Sequence, residues 1–370
     1  MRMWYILLGI TIVLTIACLI YIGWRVSGFG FIKQIANHKY RWLCSLLLVC
    51  AIFGILALSL NMMNAVICLL HICGFWIICD IAFLAIGHWH PAPFAHYYAG
   101  IAAIALSVLY LGCGVYLDYH IFTTSYQLKS PKIKKPLRVV MFADSHIGTT
   151  FDGEGFARHM QKIQAQNPDV VLLVGDYVDD GSQLKEMQIA TKALGELKTQ
   201  YGVYFVFGNH DKGYYNSIVR GYDGNVLQAE LQKNGVRVLE DEAVPLRDDI
   251  LLLGRKDSSE FFRGGSRKSM RALTKDLPQN RFVVVMDHQP NDYEKQAAAG
   301  VDLVVSGHTH GGQMFPLNKV GEWIGANDNT YGLERRRQTD FIVTSGLSDW
   351  AIKIKTGTKS EFVVIDLLPE

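Results

Sequence analysis

Five short motifs concentrate the residue types that hold divalent cations and move protons. They are Asp144-Ser145-His146, Gly175-Asp176, Gly208-Asn209-His210-Asp211, Asp287-His288 and Gly307-His308-Thr309-His310. Residues two apart on an extended chain project the same way, so Asp144 with His146, and His308 with His310, can each reach one ion. Five of the seven histidines that follow residue 117 lie in these motifs, and only His120 and His159 do not. Any one fragment is common in structural roles; the ordered set points to a metal-dependent centre. Mixed imidazole, carboxylate and amide donors suit Mn, Fe, Zn or Co better than the all-oxygen sphere of Ca or Mg.

Each motif directly follows a short apolar run: 137–143, 170–174, 203–207, 282–286 and 303–306. With 250–253, 341–344 and 362–365, these runs read as strands, and helical periodicity fills several intervals, notably Phe156, Met160, Ile163 and then Leu184, Met187, Ala190, Leu194, Leu197. Strands alternating with helices predict an α/β domain, in which ligand chemistry collects at the carboxyl ends of the strands.

In their order the motifs resemble the signature of the calcineurin-like metallophosphoesterases, most closely membrane-attached bacterial members near the UDP-diacylglucosamine pyrophosphatases. The resemblance covers about residues 137–370 and implies a four-layer αββα sandwich holding two metals. Carried over residue by residue, it gives one metal to Asp144, His146, Asp176 and His310, and the other to Asp176, Asn209, His288 and His308. Asp176 then bridges, partly offsetting the repulsion of two cations that clamp the attacking and leaving oxygens of a phosphoryl transfer. A hydroxide held between the ions would attack phosphorus in line with the departing oxygen. The resemblance gives His210 to the transition state or leaving group, with Asp211 expected to orient its ring; Asp287 receives no role. The implied activity is hydrolysis of a phosphomonoester, phosphodiester or pyrophosphate bond, with lipid-linked and nucleotide-type substrates as candidates.

Residues 1–117 are a different material. They carry five basic groups and one acid, net +4, while residues 118–370 carry 31 basic and 33 acidic groups, net −2. All seven cysteines lie in the first part, and no Cys-x-x-Cys pair suggests a zinc cluster. Four apolar segments, Trp4 to Gly23, Trp42 to Leu60, Met63 to Ile86 and Tyr98 to Leu117, approach the ~20 residues that cross a bilayer. Only Asn61 and Met62 separate the second from the third, which reads as a tight hairpin. Trp4, Trp24, Trp42, Trp89, Tyr97 and Tyr98 fall at segment ends, as interfacial anchors do. No small-x-small cleavage site follows the first segment, so it reads as an uncleaved helix.

Basic residues flank both sides of these segments, four in loop 24–41 and Lys129, Lys132, Lys134 and Lys135 beyond the last. Weighting the first helix puts the 24–41 loop in the cytoplasm and the C-terminal half outside, in a bacterial cell membrane. Asp80 and His71 lie inside the third segment; the favoured explanation is an acid protonated or bonded to a neighbouring helix rather than an ion path. The expected organisation is a membrane domain at 1–117, a Pro- and Lys-containing linker at 118–136, and the α/β domain at 137–370.

A domain of net charge −2 disfavours a nucleic-acid track. Between 255 and 275, seven basic residues (Arg255, Lys256, Arg263, Arg267, Lys268, Arg271, Lys275) outnumber Asp257 and Glu260, around Phe261-Phe262 and Gly264-Gly265. This stretch reads equally as recognition of a phosphate or anionic headgroup and as a solvated loop, and so does Arg335-Arg336-Arg337. Two competing functions are a catalytically silent binding module, disfavoured by the complete motif set, and a regulatory domain of a four-helix transporter, favoured only by Asp80 and His71.

Overall fold

The computed structural model describes residues 2–89, 96–213 and 220–370, without the side chains of residues 2–4, 7 and 262. The chain divides into two compact units, Met1–Val115 with Ala351–Ile354, and Tyr116–Trp350 with Lys355–Glu370.

Among the described residues four helices are long and apolar enough to cross a membrane: Leu8–Val26, His38–Ser59, Met62–Trp89 and Tyr98–Tyr119. The expected anchor Trp4 has its side chain outside the described residues, and so does Phe262 of the basic stretch. The hairpin turn falls at Asn61, whose side-chain oxygen accepts the Asn64 N–H at 2.8 Å and caps the following helix. Asp80 accepts from the Tyr21 hydroxyl at 2.5 Å and forms an ion pair with Arg25, so it is bonded to a neighbouring helix and does have a charged partner. Removing either member would leave a charge uncompensated in an apolar setting, which is strongly destabilising. His71 turns inward on its own helix, Nδ1 to the Ile67 carbonyl at 2.8 Å.

Among its described residues the second unit contains twelve strands: β1 (Phe122–Ser130), β2 (Leu137–Phe142), β3 (Val170–Val174), β4 (Val203–Val206), β5 (Val236–Val238), β6 (Glu242–Arg247), β7 (Ile250–Gly254), β8 (Phe282–Met286), β9 (Leu303–Ser306), β10 (Gly332–Arg336), β11 (Thr339–Val343) and β12 (Glu361–Pro369). They form two six-stranded mixed sheets, in the orders β1-β12-β2-β3-β4-β5 and β10-β11-β9-β8-β7-β6. The stretch 118–136, expected as a linker, is corrected: Phe122–Ser130 pairs in parallel with β12 along its whole length. Its alternating polar pattern hid it, because it is an edge strand with one face in water.

Successive strand residues face opposite sides, and this alternation sorts the apolar side chains into three layers. Val139, Met141, Leu172, Val174, Leu252, Val284, Leu303 and Val305 meet between the sheets. Val140, Phe142, Val171, Leu173 and Phe205 pack outward onto Phe156, Met160 and Ile163 of helix Gly153–Gln164 and Met187, Ala190 and Leu194 of helix Leu184–Gly195. On the far side Leu251, Leu253, Val283, Val285 and Val304 cover Met270, Tyr293 and Ala297. The result is the αββα sandwich, each buried Val or Leu contributing roughly 1.5–3 kcal/mol.

Candidate metal centre

Strands β2, β3 and β4 run parallel in one sheet, and β8 and β9 parallel in the other. Their carboxyl ends carry all five motifs. Two groups of side chains result, each with potential ligand atoms within 4.8 Å of one another: Asp144, His146 and His310, and Asp176, His288 and His308; a third group at the same spacing, His146, Asp179 and His210, shares His146 with the first. Asp176 links the first two, its Oδ2 lying 3.7 Å from His146 Nε2 and 3.1 Å from His288 Nε2. Asp144, His146, Asp176 and His288 are at most 2% exposed.

The residues fit cations on two further observations. Nε2 of His146 and Oδ1 of Asn209 are buried without a hydrogen-bond partner, a costly condition for polar atoms unless a ligand satisfies them. Asp144, His146, Asp176, His308 and His310 all adopt left-handed backbone, with φ between 35° and 73°, the kind of strain that clusters at functional sites. Two motif glycines make the close approach possible. A Cβ at Gly307 would stand 2.6 Å from Asp144 Oδ2, and one at Gly208 would collide with the Asp176 carboxylate.

Backbone groups aim the ligand atoms. His288 Nδ1 meets the Val174 carbonyl at 2.8 Å, and His310 Nδ1 the Ser348 carbonyl at 3.1 Å; carbonyls only accept, so each Nδ1 carries the proton and each Nε2 is left for the site. Asp349, 3.4 Å from His310 Nδ1, is itself held by the fully buried Lys355 at 3.2 Å. The Asp144 carboxylate accepts the His308 N–H at 2.9 and 3.0 Å, tying the first motif to the last.

His210 lies in the third group, its ring centroid 5.1 Å from that of His146 and its Nδ1 3.3 Å from Asp179 Oδ1 and 3.5 Å from Asp180 Oδ2. This corrects the expectation for Asp211, which does not orient the His210 ring. Its carboxylate accepts four backbone N–H groups, from Asp176, Tyr177, Val178 and Gly208, at 2.7–3.1 Å. It therefore locks the β3 and β4 ends together, and burial followed by the Asp176 charge pushes its pKa up to about 6. Asp211→Asn would set an amide donor against two of those N–H groups. We expect a loss on the order of 3 kcal/mol, a fall of roughly 6–12 °C in the melting temperature of this unit. A melting temperature within about 2 °C of wild type, the shift of a loss of about 1 kcal/mol or less, would contradict the locking role.

Sequence reasoning missed Asp179, Asp180, Asp349 and Trp350, whose ring centroid is 5.7 Å from that of His210. A signal existed: the strand at 341–344 also runs into an acid-bearing loop, Ser345 to Trp350, and Asp179-Asp180 follow Asp176 by three and four residues. The basic stretch resolves toward structure. Arg255 and Arg267 both clamp the buried Asp287, which thereby acquires a role. Arg335, Arg336 and Arg337 each pair with an acid, Asp340, Glu334 and Glu294 respectively.

A sequence profile of the calcineurin-like phosphoesterases matches residues 137–312, the span that holds all five motifs. This span of the second unit belongs to the calcineurin-like phosphoesterase family. A metallophosphoesterase from Campylobacter jejuni is 28% identical over 246 residues, covering 66% of this chain and 62% of its own length. A transmembrane protein with metallophosphoesterase domain from Danio rerio is 31% identical over 252 residues, covering 65% of this chain and 55% of its own length. The chain thus spans less than two thirds of either relative. Among solved structures, a dimetal phosphatase from Danio rerio superposes with a TM-score of 0.36 at 12% identity, covering 56% of this chain and 86% of that one.

The phosphoesterase unit holds its imidazoles in contrasting states. Burial disfavours a charged His210, but Asp179, Asp176 and Asp180 outweigh it and raise the pKa to about 9. Burial likewise opposes charge on His288, and Asp176 overrides it, holding the ring protonated well above the usual range. His308 is pushed down to about 4 by burial and then by His288. A second proton on His288 thus occupies the electrostatic place of a cation, and a cation must displace it. Protonation competes, so divalent loading should weaken as pH falls and tighten as it rises. Titration calorimetry of the chelator-stripped protein with Mn, in two buffers of different ionisation enthalpy, should report net proton release. Binding without proton release would contradict these states.

Proposed function

We propose that the chain is a membrane-anchored phosphoester hydrolase that works with two divalent transition-metal ions. Asp144, His146, Asp176 and His310 would hold one ion, and Asp176, Asn209, His288 and His308 the other. The observation that carries this is the position of Asp176, one buried carboxylate oxygen within 3.7 Å of imidazole nitrogens from both groups. Cations bound there would supply Lewis acidity toward a phosphoryl oxygen and lower the pKa of an attacking water. The chain's own residues do the rest. His210 keeps a proton available to the departing oxygen, and Asp179 and Asp180 fix its ring and favour its charged form. Trp350 stands beside His210 as an exposed aromatic surface for the substrate's leaving portion.

The four apolar helices serve as anchor in this account, because Asp80 is already spent on Arg25 and Tyr21. Lys33, Lys39 and Arg41, at and beside the turn between the first two helices, support a phosphoesterase unit outside the cytoplasm. The full chain, stripped and reloaded with Mn, should hydrolyse bis-p-nitrophenyl phosphate or p-nitrophenyl phosphate. Two bound ions without turnover, across Mn, Zn, Fe and Co, would replace the enzyme by a metal-binding module.

A further inference from the structure

Between His310 and Tyr331 the phosphoesterase unit carries a small lobe containing two helical turns, Leu317–Lys319 and Val320–Trp323. Its root is fixed. Gln313 Nε2 donates to Asp349 Oδ2 at 2.7 Å, Thr309 Oγ1 to the Thr330 carbonyl at 2.6 Å, and the Thr330 N–H to Glu322 Oε1 at 2.9 Å. Its tip is apolar and open, with Phe315 and Leu317 59% exposed and Trp323 and Ile324 73% exposed. Among the described residues of this unit, these are four of the five most exposed large apolar side chains, gathered within ten positions; Phe261 is the fifth. The only charges between 315 and 324, Lys319 and Glu322, pair at 2.8 Å, so the tip carries no net charge.

A soluble domain rarely leaves such a cluster in water, so the tip calls for an occupant. We propose that this lobe inserts into the surface of the bilayer that the chain's own four apolar helices would cross. Three observations select a bilayer. The helices bring one to every molecule, and β1 begins at Phe122, directly after a helix that ends at Tyr119, so the tether is short. The tip joins Trp to Phe, Leu and Ile, the composition of segments that lie at the membrane interface. Its self-neutralised charge also removes the long-range attraction that a charged partner surface would use.

The root of the lobe touches Asp349, the carboxylate beside His310. An inserted tip would therefore keep the metal centre within reach of phosphoesters at headgroup level. That consequence rests on the hydrolase reading, whereas the insertion does not.

The test uses the full chain in phosphatidylcholine–phosphatidylglycerol vesicles, with and without bromine on the acyl chains. The difference in emission between wild type and Trp323→Phe isolates Trp323. Insertion predicts that bromolipid quenches this component about twofold or more, and that Leu317→Asp/Ile324→Asp abolishes the quenching while soluble-ester turnover is retained. A Trp323 component untouched by bromolipid overturns the proposal, whether iodide reaches it from water or protein shields it from both. Quenching in a protein that hydrolyses no phosphoester would preserve the insertion and remove the hydrolase reading.

Discussion

Asp176→Asn is expected to lower kcat/KM by ~10³-fold or more, about 4 kcal/mol of transition-state stabilisation, while leaving the fold intact. The replacement keeps the shape of the side chain, and its amide oxygen can still accept the His210 N–H that Asp176 Oδ1 accepts at 2.9 Å. What it removes is the single negative charge between the two imidazole groups, and it sets an NH₂ donor where Oδ2 faces His146 and His288. Metal content measured by mass spectrometry should fall from about two ions to one or fewer. Melting behaviour separates this variant from Asp211→Asn, whose lost N–H acceptors cost stability first. An Asp176→Asn protein that keeps two ions and activity within tenfold would remove the bridging role.

His210→Gln should act on a different quantity. His210 is 12% exposed at its side chain and stands against Asp179 and Asp180, with a pKa raised to about 9, so it carries its proton throughout the neutral range. General acids of this kind contribute ~10²–10⁴-fold, and mainly where the leaving oxygen is basic. We therefore expect kcat to fall ~10²-fold or more on an alkyl phosphoester and less than about tenfold on a p-nitrophenyl ester, at unchanged metal content. Asp179→Asn should give a smaller loss of ~10–100-fold with the same leaving-group bias, because it acts only through the ring of His210. Equal losses on both esters would place His210 in substrate binding instead.

The sequence revealed the interior of the fold and missed its borders. All eight apolar runs are strands, namely β2, β3, β4, β7, β8, β9, β11 and β12. The four strands that escaped notice, β1, β5, β6 and β10, are the four edges of the two sheets. An edge strand has one neighbour and partial contact with water, so it has less need of the continuous apolar run that betrays a central one. The grouping of the candidate ligands was legible because these residues sit at fixed offsets after strands. Its supports were not: Asp211 turned to backbone N–H groups, while Asp179 and Asp349 took up the histidines. Such contacts depend on loop conformation, which carries no period. Long-range pairing was hidden for the same reason, since nothing local joins Asp80 to Arg25, or Asp287 to Arg255 and Arg267.

The central claim is that Asp176 joins two cation sites. Its most direct test is a structure of the Mn-loaded chain with anomalous scattering collected at the metal edge. The account predicts two anomalous peaks, one beside Asp144, His146 and His310 and the other beside Asn209, His288 and His308, with the Asp176 carboxylate touching both. A single peak, or two peaks with Asp176 bound to neither, would contradict it.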